Sequence, residues 1–93
     1  MDCREITFTK HAFERMFSRS ISPRDVRNIV VNGETIITYP NDVPFQSTLL
    51  LGYLDKRPIH VLVGKDPSTA ICYIITVYEP DITIWEDDFK RRR

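Results

Sequence analysis

The 93-residue chain lacks the features that mark several common protein classes. Its three glycines lie far apart, so the chain has no glycine-rich loop of the kind that cradles nucleotide phosphates. No stretch approaches the roughly twenty apolar residues that cross a bilayer. Asp2, Arg4 and Glu5 also interrupt any apolar start of a signal peptide. We therefore expect no nucleotide-dependent enzyme and no membrane protein.

Cysteine is scarce as well, with only Cys3 and Cys72, far apart and in no CxxC pair. Two such cysteines do not indicate a disulfide framework, so we expect free thiols in the reducing cytoplasm, with Cys72 a small core residue. The only histidines are His11 and His60, and no short ligand spacing joins them to the cysteines. We expect no bound metal and no other cofactor.

The chain has no net charge, because thirteen basic residues balance thirteen acidic ones. No global field therefore attracts nucleic acid. The charges are unevenly distributed, however: residues 10–27 sum to +3, residues 31–89 to −6, and the last four residues add +4. Such a polar molecule could bind an anion at one end and present acid elsewhere.

The hydrophobic pattern predicts one α+β domain over residues 1–93, with two helices near its start. Thr9 is the expected N-cap of the first helix, and Phe8 and Phe13 have the spacing of a hydrophobic staple. The predicted buried face of this helix holds two aromatic and two other apolar residues: Ala12, Phe13, Met16 and Phe17. Ser22 and Pro23 predict the start of the second helix, and Asn32-Gly33 its end.

After Gly33 the pattern changes to that of strands. The sequence predicts a four-stranded, mainly antiparallel sheet with both helices on one face, preceded by a short N-terminal strand at Arg4–Phe8. The four strands are Glu34–Tyr39, Ser47–Leu54, Arg57–Gly64 and Ala70–Tyr78. We expect Trp85 and Phe89 to dock the C-terminal tail on this body, with one helical turn after Asp81.

His11, Arg15 and Arg19 stand four residues apart and should share one face of the first helix. Histidine exchanges protons near neutral pH, and arginine binds phosphate through forked donors. The stripe therefore suits a phosphate-handling surface. The ordinary alternatives are a hydrogen-bonded or exposed histidine, an Arg15 paired with an acid of the tail, and an Arg19 solvated at the helix end.

Two further residues could take part in proton transfer. His60 lies in the middle of a predicted strand and could act with His11 as an acid–base pair, although the pattern favours a hydrogen-bonded core or surface histidine over a catalytic one. Tyr78 ends the last strand, where a phenol could donate or accept a proton. Asp81, after Pro80, has the position of a turn residue.

Several segments resemble the domain of unknown function 4258 family, and with the Tyr39–Ser47 loop they span nearly the whole chain. They are Lys10–Ala12, Arg15-Met16, Asn32–Glu34, Pro58–Val61, Ile75–Asp81 and Trp85-Glu86. That family resembles, distantly, the prokaryotic RelE/ParE toxin superfamily, with some likeness to BrnT toxins. The resemblance implies a RelE-like fold and a cytoplasmic ribonuclease that cuts messenger RNA and is silenced by a cognate antitoxin. The neutral charge departs from that of many ribosome-dependent toxins, which are strongly basic.

We therefore expect the toxin of a type II toxin–antitoxin pair, a metal-independent endoribonuclease. His11 or His60 would take the proton of a ribose 2′-hydroxyl, and Tyr78 or the other histidine would protonate the leaving oxygen. Arg15 and Arg19 would stabilise charge on the phosphate. RNA and the antitoxin are the expected partners, and a homodimer is left open. The alternatives are a non-catalytic module that binds protein or RNA, and a purely structural domain.

Overall fold

Two capped helices follow a short strand at the front of the computed structural model, which describes residues 1–93. The N-terminal end of the first helix is fixed by Thr9, whose side chain accepts a hydrogen bond from the Ala12 amide. Ser22 and Asp25 form a reciprocal capping box on the second helix. The elements are β1 (Glu5–Phe8), α1 (Lys10–Ser18), α2 (Pro23–Asn32), β2 (Glu34–Tyr39), β3 (Ser47–Leu54), β4 (Arg57–Lys65) and β5 (Ile71–Tyr78).

The predicted α+β class is confirmed, but the sheet has five strands and is mixed. Strands β2 to β5 form the expected antiparallel meander, and β1 adds to its edge in parallel with β5, giving the order β1-β5-β4-β3-β2. A four-residue strand contains no signal for a partner that lies far along the chain. Because β1 pairs only with Ile71–Ile74, the rest of β5 is left without a strand neighbour on that side, and α1 packs beside β5.

The main core lies between the helices and one face of the sheet. It includes Ala12 and Met16 of α1 together with alternate residues of the central strands. The prediction that Phe13 and Phe17 are buried was wrong, because 53% and 85% of these residues are exposed. Within α1 only the narrow stripe of Ala12 and Met16 is buried. The staple is formed nonetheless, since the Phe8 and Phe13 rings meet edge to face at 6.5 Å.

The expectation of free cysteines was also wrong. Cys3 and Cys72 form a disulfide that connects the N-terminus to β5. Their Cα atoms lie 5.7 Å apart although 69 positions separate them in the sequence. The parallel pairing of β1 with β5 places Ile6 opposite Cys72 and so brings the two cysteines together. The cytoplasmic location stays a prediction.

The C-terminal segment packs on the sheet face opposite the helices. His60 lies between two residues of the helix-facing core, so its side chain points to the other face, where it meets Trp85. Trp85 is 3% exposed, which confirms that it docks the tail. The Trp85 amide donates to the Asp81 carbonyl four residues earlier, which closes the expected single helical turn after Asp81. Neither helix of the protein has the length and apolar character that a membrane crossing requires.

Candidate functional site

A cleft of about 310 Å³ lies where α1, the outer half of β5 and the C-terminal segment meet. Helix α1 provides one wall, the end of β5 the second, and the tail the third. The side chains of the predicted stripe line it together with Tyr78 and residues of the tail. The lining residues are His11, Arg15, Arg19, Thr76, Tyr78, Glu79, Asp81, Ile84 and Trp85. Four of the five predicted site residues therefore share one cleft.

His11 occupies the first turn of α1 and is exposed to solvent. Its Nε2 atom lies 3.3 Å from the hydroxyl oxygen of Thr76 on β5. This contact exists because α1 runs beside the part of β5 that β1 does not cover. No carboxylate orients the imidazole, and its exposure leaves His11 accessible to a ligand in the cleft.

Arg15 and Arg19 follow His11 along the same side of α1, and neither guanidinium is part of an ion pair or a hydrogen bond within the protein. The nearby acids are engaged elsewhere. Glu79 pairs with Arg57, and Asp81 accepts hydrogen bonds from the amide and hydroxyl of Thr83. The two arginines therefore present free donors to a bound anion.

Glu79 and Asp81 nevertheless line the same cleft as the arginines, on its β5 and tail sides. The hydrogen bonds from Thr83 hold the pKa of the Asp81 carboxyl below its ordinary value, so Asp81 is ionised at neutral pH. An anion that enters the cleft must approach along the α1 side. The geometry thus favours a ligand whose charge is localised, such as a single phosphate group, over one that fills the cleft with negative charge.

His60 does not reach the cleft, because its side chain is fully buried between β5 and the tail. Its Nε2 atom lies 2.7 Å from the carbonyl oxygen of Phe89, which can only accept a hydrogen bond. Nε2 therefore carries the ring proton, and Nδ1 accepts from the hydroxyl of Tyr78 at 3.0 Å. The sequence suggested either a catalytic or a structural histidine, and the contacts are those of the latter.

Burial shifts the pKa values of both His60 and Tyr78. Desolvation lowers the pKa of His60, and the positive charge of Arg92 adds to that effect, although the bond to the Phe89 carbonyl opposes it. Desolvation also raises the pKa of the Tyr78 phenol, with a further contribution from Tyr39. At neutral pH, Tyr78 is therefore protonated, with its proton directed to His60 rather than to the cleft.

Sequence reasoning missed Thr76 and Arg57. Thr76 is two residues before Tyr78 on the same strand face, so strand alternation could have included it. Arg57 donates to the Arg19 carbonyl at 2.6 Å and also contacts Glu79, which ties the end of α1 to the end of β5. Nothing in the sequence marks that contact, since it joins residues 38 positions apart. No group of three or more His, Cys, Asp or Glu side chains is placed to hold a metal ion.

The sequence profile of one family, described as "Domain of unknown function (DUF4258)", matches residues 8–79. The chain belongs to this DUF4258 family. The DUF4258 match includes the α1 and β5 walls of the cleft, whereas the tail wall, with Asp81 and Trp85, lies beyond it. Searches among curated proteins and among solved structures gave no significant match.

Proposed function

We propose that this DUF4258 protein is a metal-independent endoribonuclease, the toxin of a type II toxin–antitoxin pair, with a distant relationship to the RelE/ParE and BrnT toxins. The observation that carries the proposal is the α1 wall of the cleft. There, one accessible histidine precedes two arginines whose guanidinium groups have no partner within the protein. A proton acceptor beside two free forked cations meets two needs of phosphodiester cleavage, removal of the 2′-hydroxyl proton and stabilisation of the charge on the phosphate.

In the proposed reaction, Arg15 and Arg19 bind the non-bridging oxygens of one phosphate of the RNA chain. Neutral His11 takes the proton of the adjacent ribose 2′-hydroxyl, and the 2′ oxygen attacks phosphorus. The bond from phosphorus to the 5′ oxygen breaks, which leaves a 2′,3′-cyclic phosphate. The leaving oxygen takes its proton from a solvent molecule of the open cleft, and His11 later releases its own proton to solvent. The arginines stabilise the charge that develops on the phosphate.

This scheme assigns different roles to the other two predicted residues. His60 is buried and takes no part in proton transfer with the substrate. Tyr78 is a poor acid, because its pKa is raised by burial and its hydroxyl proton is bound to His60. It instead offers its oxygen as an acceptor to a donor on the ligand.

The test is inducible expression in bacteria, with growth and total RNA followed after induction. The double variant His11→Ala/Arg15→Ala is compared with wild type, and circular dichroism of the purified proteins establishes that both fold. Growth arrest with RNA fragments bearing cyclic phosphate, lost in the double variant, is the expected result. Lys56→Ala, which removes an exposed cation in the β3–β4 turn, is the matched control and should behave as wild type. Equal toxicity of the folded double variant would disprove the assignment.

A second function is a non-catalytic module that binds RNA or protein through the same arginines and the basic C-terminal residues. It is favoured by one observation: the only hydrogen-bond partner of His11 is a threonine hydroxyl, so no carboxylate orients or activates the imidazole. Under this alternative, RNA binding weakens steeply with salt, and the bound RNA stays intact. The cognate antitoxin and a homodimer remain predictions in both cases.

A further inference from the structure

An apolar groove of about 490 Å³ runs between the end of α1 and the start of α2, on the side of α1 away from the candidate site. Phe13 and Phe17 form its most exposed part, at 53% and 85%. Buried Met16 and Ile21 lie at its base. The remaining lining residues belong to the short link between the helices and to the start of α2: Ser20, Ser22 and Pro23.

The two phenylalanines form a patch and are not scattered surface residues. They stand four positions apart on α1, so their side chains are neighbours on one helix face. Phe8 extends the patch, since its ring meets that of Phe13. Contiguous exposed apolar surface marks interaction sites, and aromatic anchors supply much of the binding energy in protein interfaces.

Positive charge borders this groove. The guanidinium of Arg27 lies 5.3 Å from the centre of the Phe8 ring, and Arg24 stands three residues earlier on α2. Neither arginine is part of an ion pair.

The two acids of these helices are already engaged. Glu14 pairs with Lys10 at 3.8 Å, and the Asp25 carboxylate accepts the Ser22 amide of the capping box. Both contacts hold these carboxylates to groups of their own helix. Lys10, Arg24 and Arg27 outnumber these two acids, so the groove combines aromatic anchors with an excess of positive charge.

We propose that this groove binds an acidic amphipathic helix of another protein. A helix suits a groove between two helices, since its apolar residues at i, i+3, i+4 and i+7 can face the phenylalanines while its acids face Arg24 and Arg27. A second copy docking through the same face is disfavoured, because a two-fold interface would bring the same cations of both copies together.

The inference goes beyond the proposed ribonuclease activity and does not depend on it. His11, Arg15 and Arg19 lie on one side of the buried Ala12–Met16 stripe of α1, and Phe13 and Phe17 on the other. The helix thus presents two separate surfaces. A protein bound at the groove would leave the cleft open unless it extends around the end of α1.

The test uses two synthetic peptides of equal length with leucine at i, i+3, i+4 and i+7, one with glutamate and one with lysine at polar positions. Binding to the full chain is measured by fluorescence anisotropy and located by amide chemical-shift changes. The glutamate peptide should bind and shift the amides of Phe13, Phe17 and the Ser20–Pro23 link. Phe17→Ser should weaken it about tenfold or more, as for an aromatic hot spot.

The charge-reversed variant Arg24→Glu/Arg27→Glu should prefer the lysine peptide, whereas Lys65→Glu, at the end of β4 away from the Arg57 that contacts α1, should behave as wild type. The proposal is overturned if neither peptide binds, if both bind equally well, or if the shifted amides lie elsewhere. Sedimentation velocity over a range of protein concentrations provides the other check. A dimer that is lost in Phe17→Ser would assign the groove to a second copy instead.

Discussion

The hydroxyl of Tyr78 donates a hydrogen bond to Nδ1 of His60 across the β4–β5 pair, with 3.0 Å between the two atoms. His60 in turn donates from Nε2 to the Phe89 carbonyl, so one neutral imidazole connects two strands with the tail. Both ring nitrogens are satisfied only in this one tautomer. Because burial disfavours the charged imidazolium, the stability of the tail depends on His60 staying uncharged.

The first prediction concerns pH. Burial lowers the pKa of His60 below its ordinary 6.5, so below that pH the unfolded chain binds a proton at this site that the folded protein does not. The unfolded state then binds more protons, and the free energy of unfolding falls as pH decreases from about 6.5 toward the lowered pKa of the folded state. Above that window, His60 contributes no pH dependence. Urea unfolding between about pH 8 and pH 5 measures the effect.

Variants can show whether this pH dependence comes from His60 or from another titrating side chain. His60→Gln should lose this slope, although it is less stable throughout, whereas His11→Gln should keep it. The lowered carboxyl pKa values of Asp66, Asp81 and Asp88 act only in the acid range below about pH 4. A slope that persists in His60→Gln between about pH 5 and pH 6.5 would contradict the assignment.

A second prediction tests the cleft as an anion site. Arg15→Ala and Arg19→Ala should each weaken binding of a short single-stranded RNA and reduce the salt slope of log K by about one. The reason is that each guanidinium is free to release one counterion from the RNA. Titrations at several salt concentrations give the slope. Lys56→Ala should leave it unchanged, and an unchanged slope in both arginine variants would place the RNA elsewhere.

A third prediction concerns the disulfide. Closing a loop across 69 positions should stabilise the fold by about 4 kcal/mol in the chain-entropy treatment. Reduction of the wild-type protein should therefore lower its melting temperature. The variant Cys3→Ala/Cys72→Ala should melt near the reduced wild type, and reductant should not change its melting. Mass spectrometry after thiol alkylation establishes the oxidation state in each sample, and identical melting of oxidised and reduced wild type would refute the prediction.

Trp85 and Phe17 form a matched pair of aromatic truncations. Trp85 is 3% exposed and packs edge to face on His60 with 4.5 Å between the ring centres, so Trp85→Ala should lower the free energy of unfolding by about 3–5 kcal/mol. Phe17 is 85% exposed, so Phe17→Ala should change it by no more than about 0.5 kcal/mol. Chemical denaturation of both variants measures these changes in the free energy of unfolding. Similar costs would mean that the tail does not dock as described.

The last prediction compares the effects of Gly52→Ala and Gly64→Ala on stability. A Cβ atom added at Gly52 would lie 2.5 Å from Cγ1 of Ile29, inside the contact between β3 and α2. Gly52→Ala should therefore destabilise the protein by about 1–3 kcal/mol, because Ile29 is buried and cannot move freely. At Gly64 the nearest atom would be 3.4 Å away, an ordinary contact. Gly64→Ala should be near neutral in the same denaturation assay.

Much of the fold could be read from the sequence because its signals are local. The caps at Thr9 and Ser22, the stop after Asn32 and the apolar strand segments of β3 to β5 each depend on neighbouring residues. The parallel partner of β1 and the Cys3–Cys72 bond depend on a register between the two ends of the chain. No pattern within a short window records such a register.

In the candidate site, too, features set by neighbouring residues were predictable and those that depend on distant contacts were not. His11, Arg15 and Arg19 share a face because helical spacing requires it, and the sequence predicted that. That His60 lies beneath the tail was not predictable, since strand alternation gives the face but not what covers it. Phe13 was expected in the core because amphipathic spacing does not show how wide a stripe the sheet can cover.

Because the first strand pairs with the last, the sheet can be completed only late in the synthesis of the chain on the ribosome. Synthesis proceeds at about 5–20 residues per second, and β1 and α1 emerge long before their neighbour β5. Until β5 has been made, His11 has no Thr76 to contact and the cleft has only one wall. A nascent or truncated chain that ends before β5 is therefore without the candidate site, and whatever chemistry the cleft performs begins only after translation has passed Tyr78.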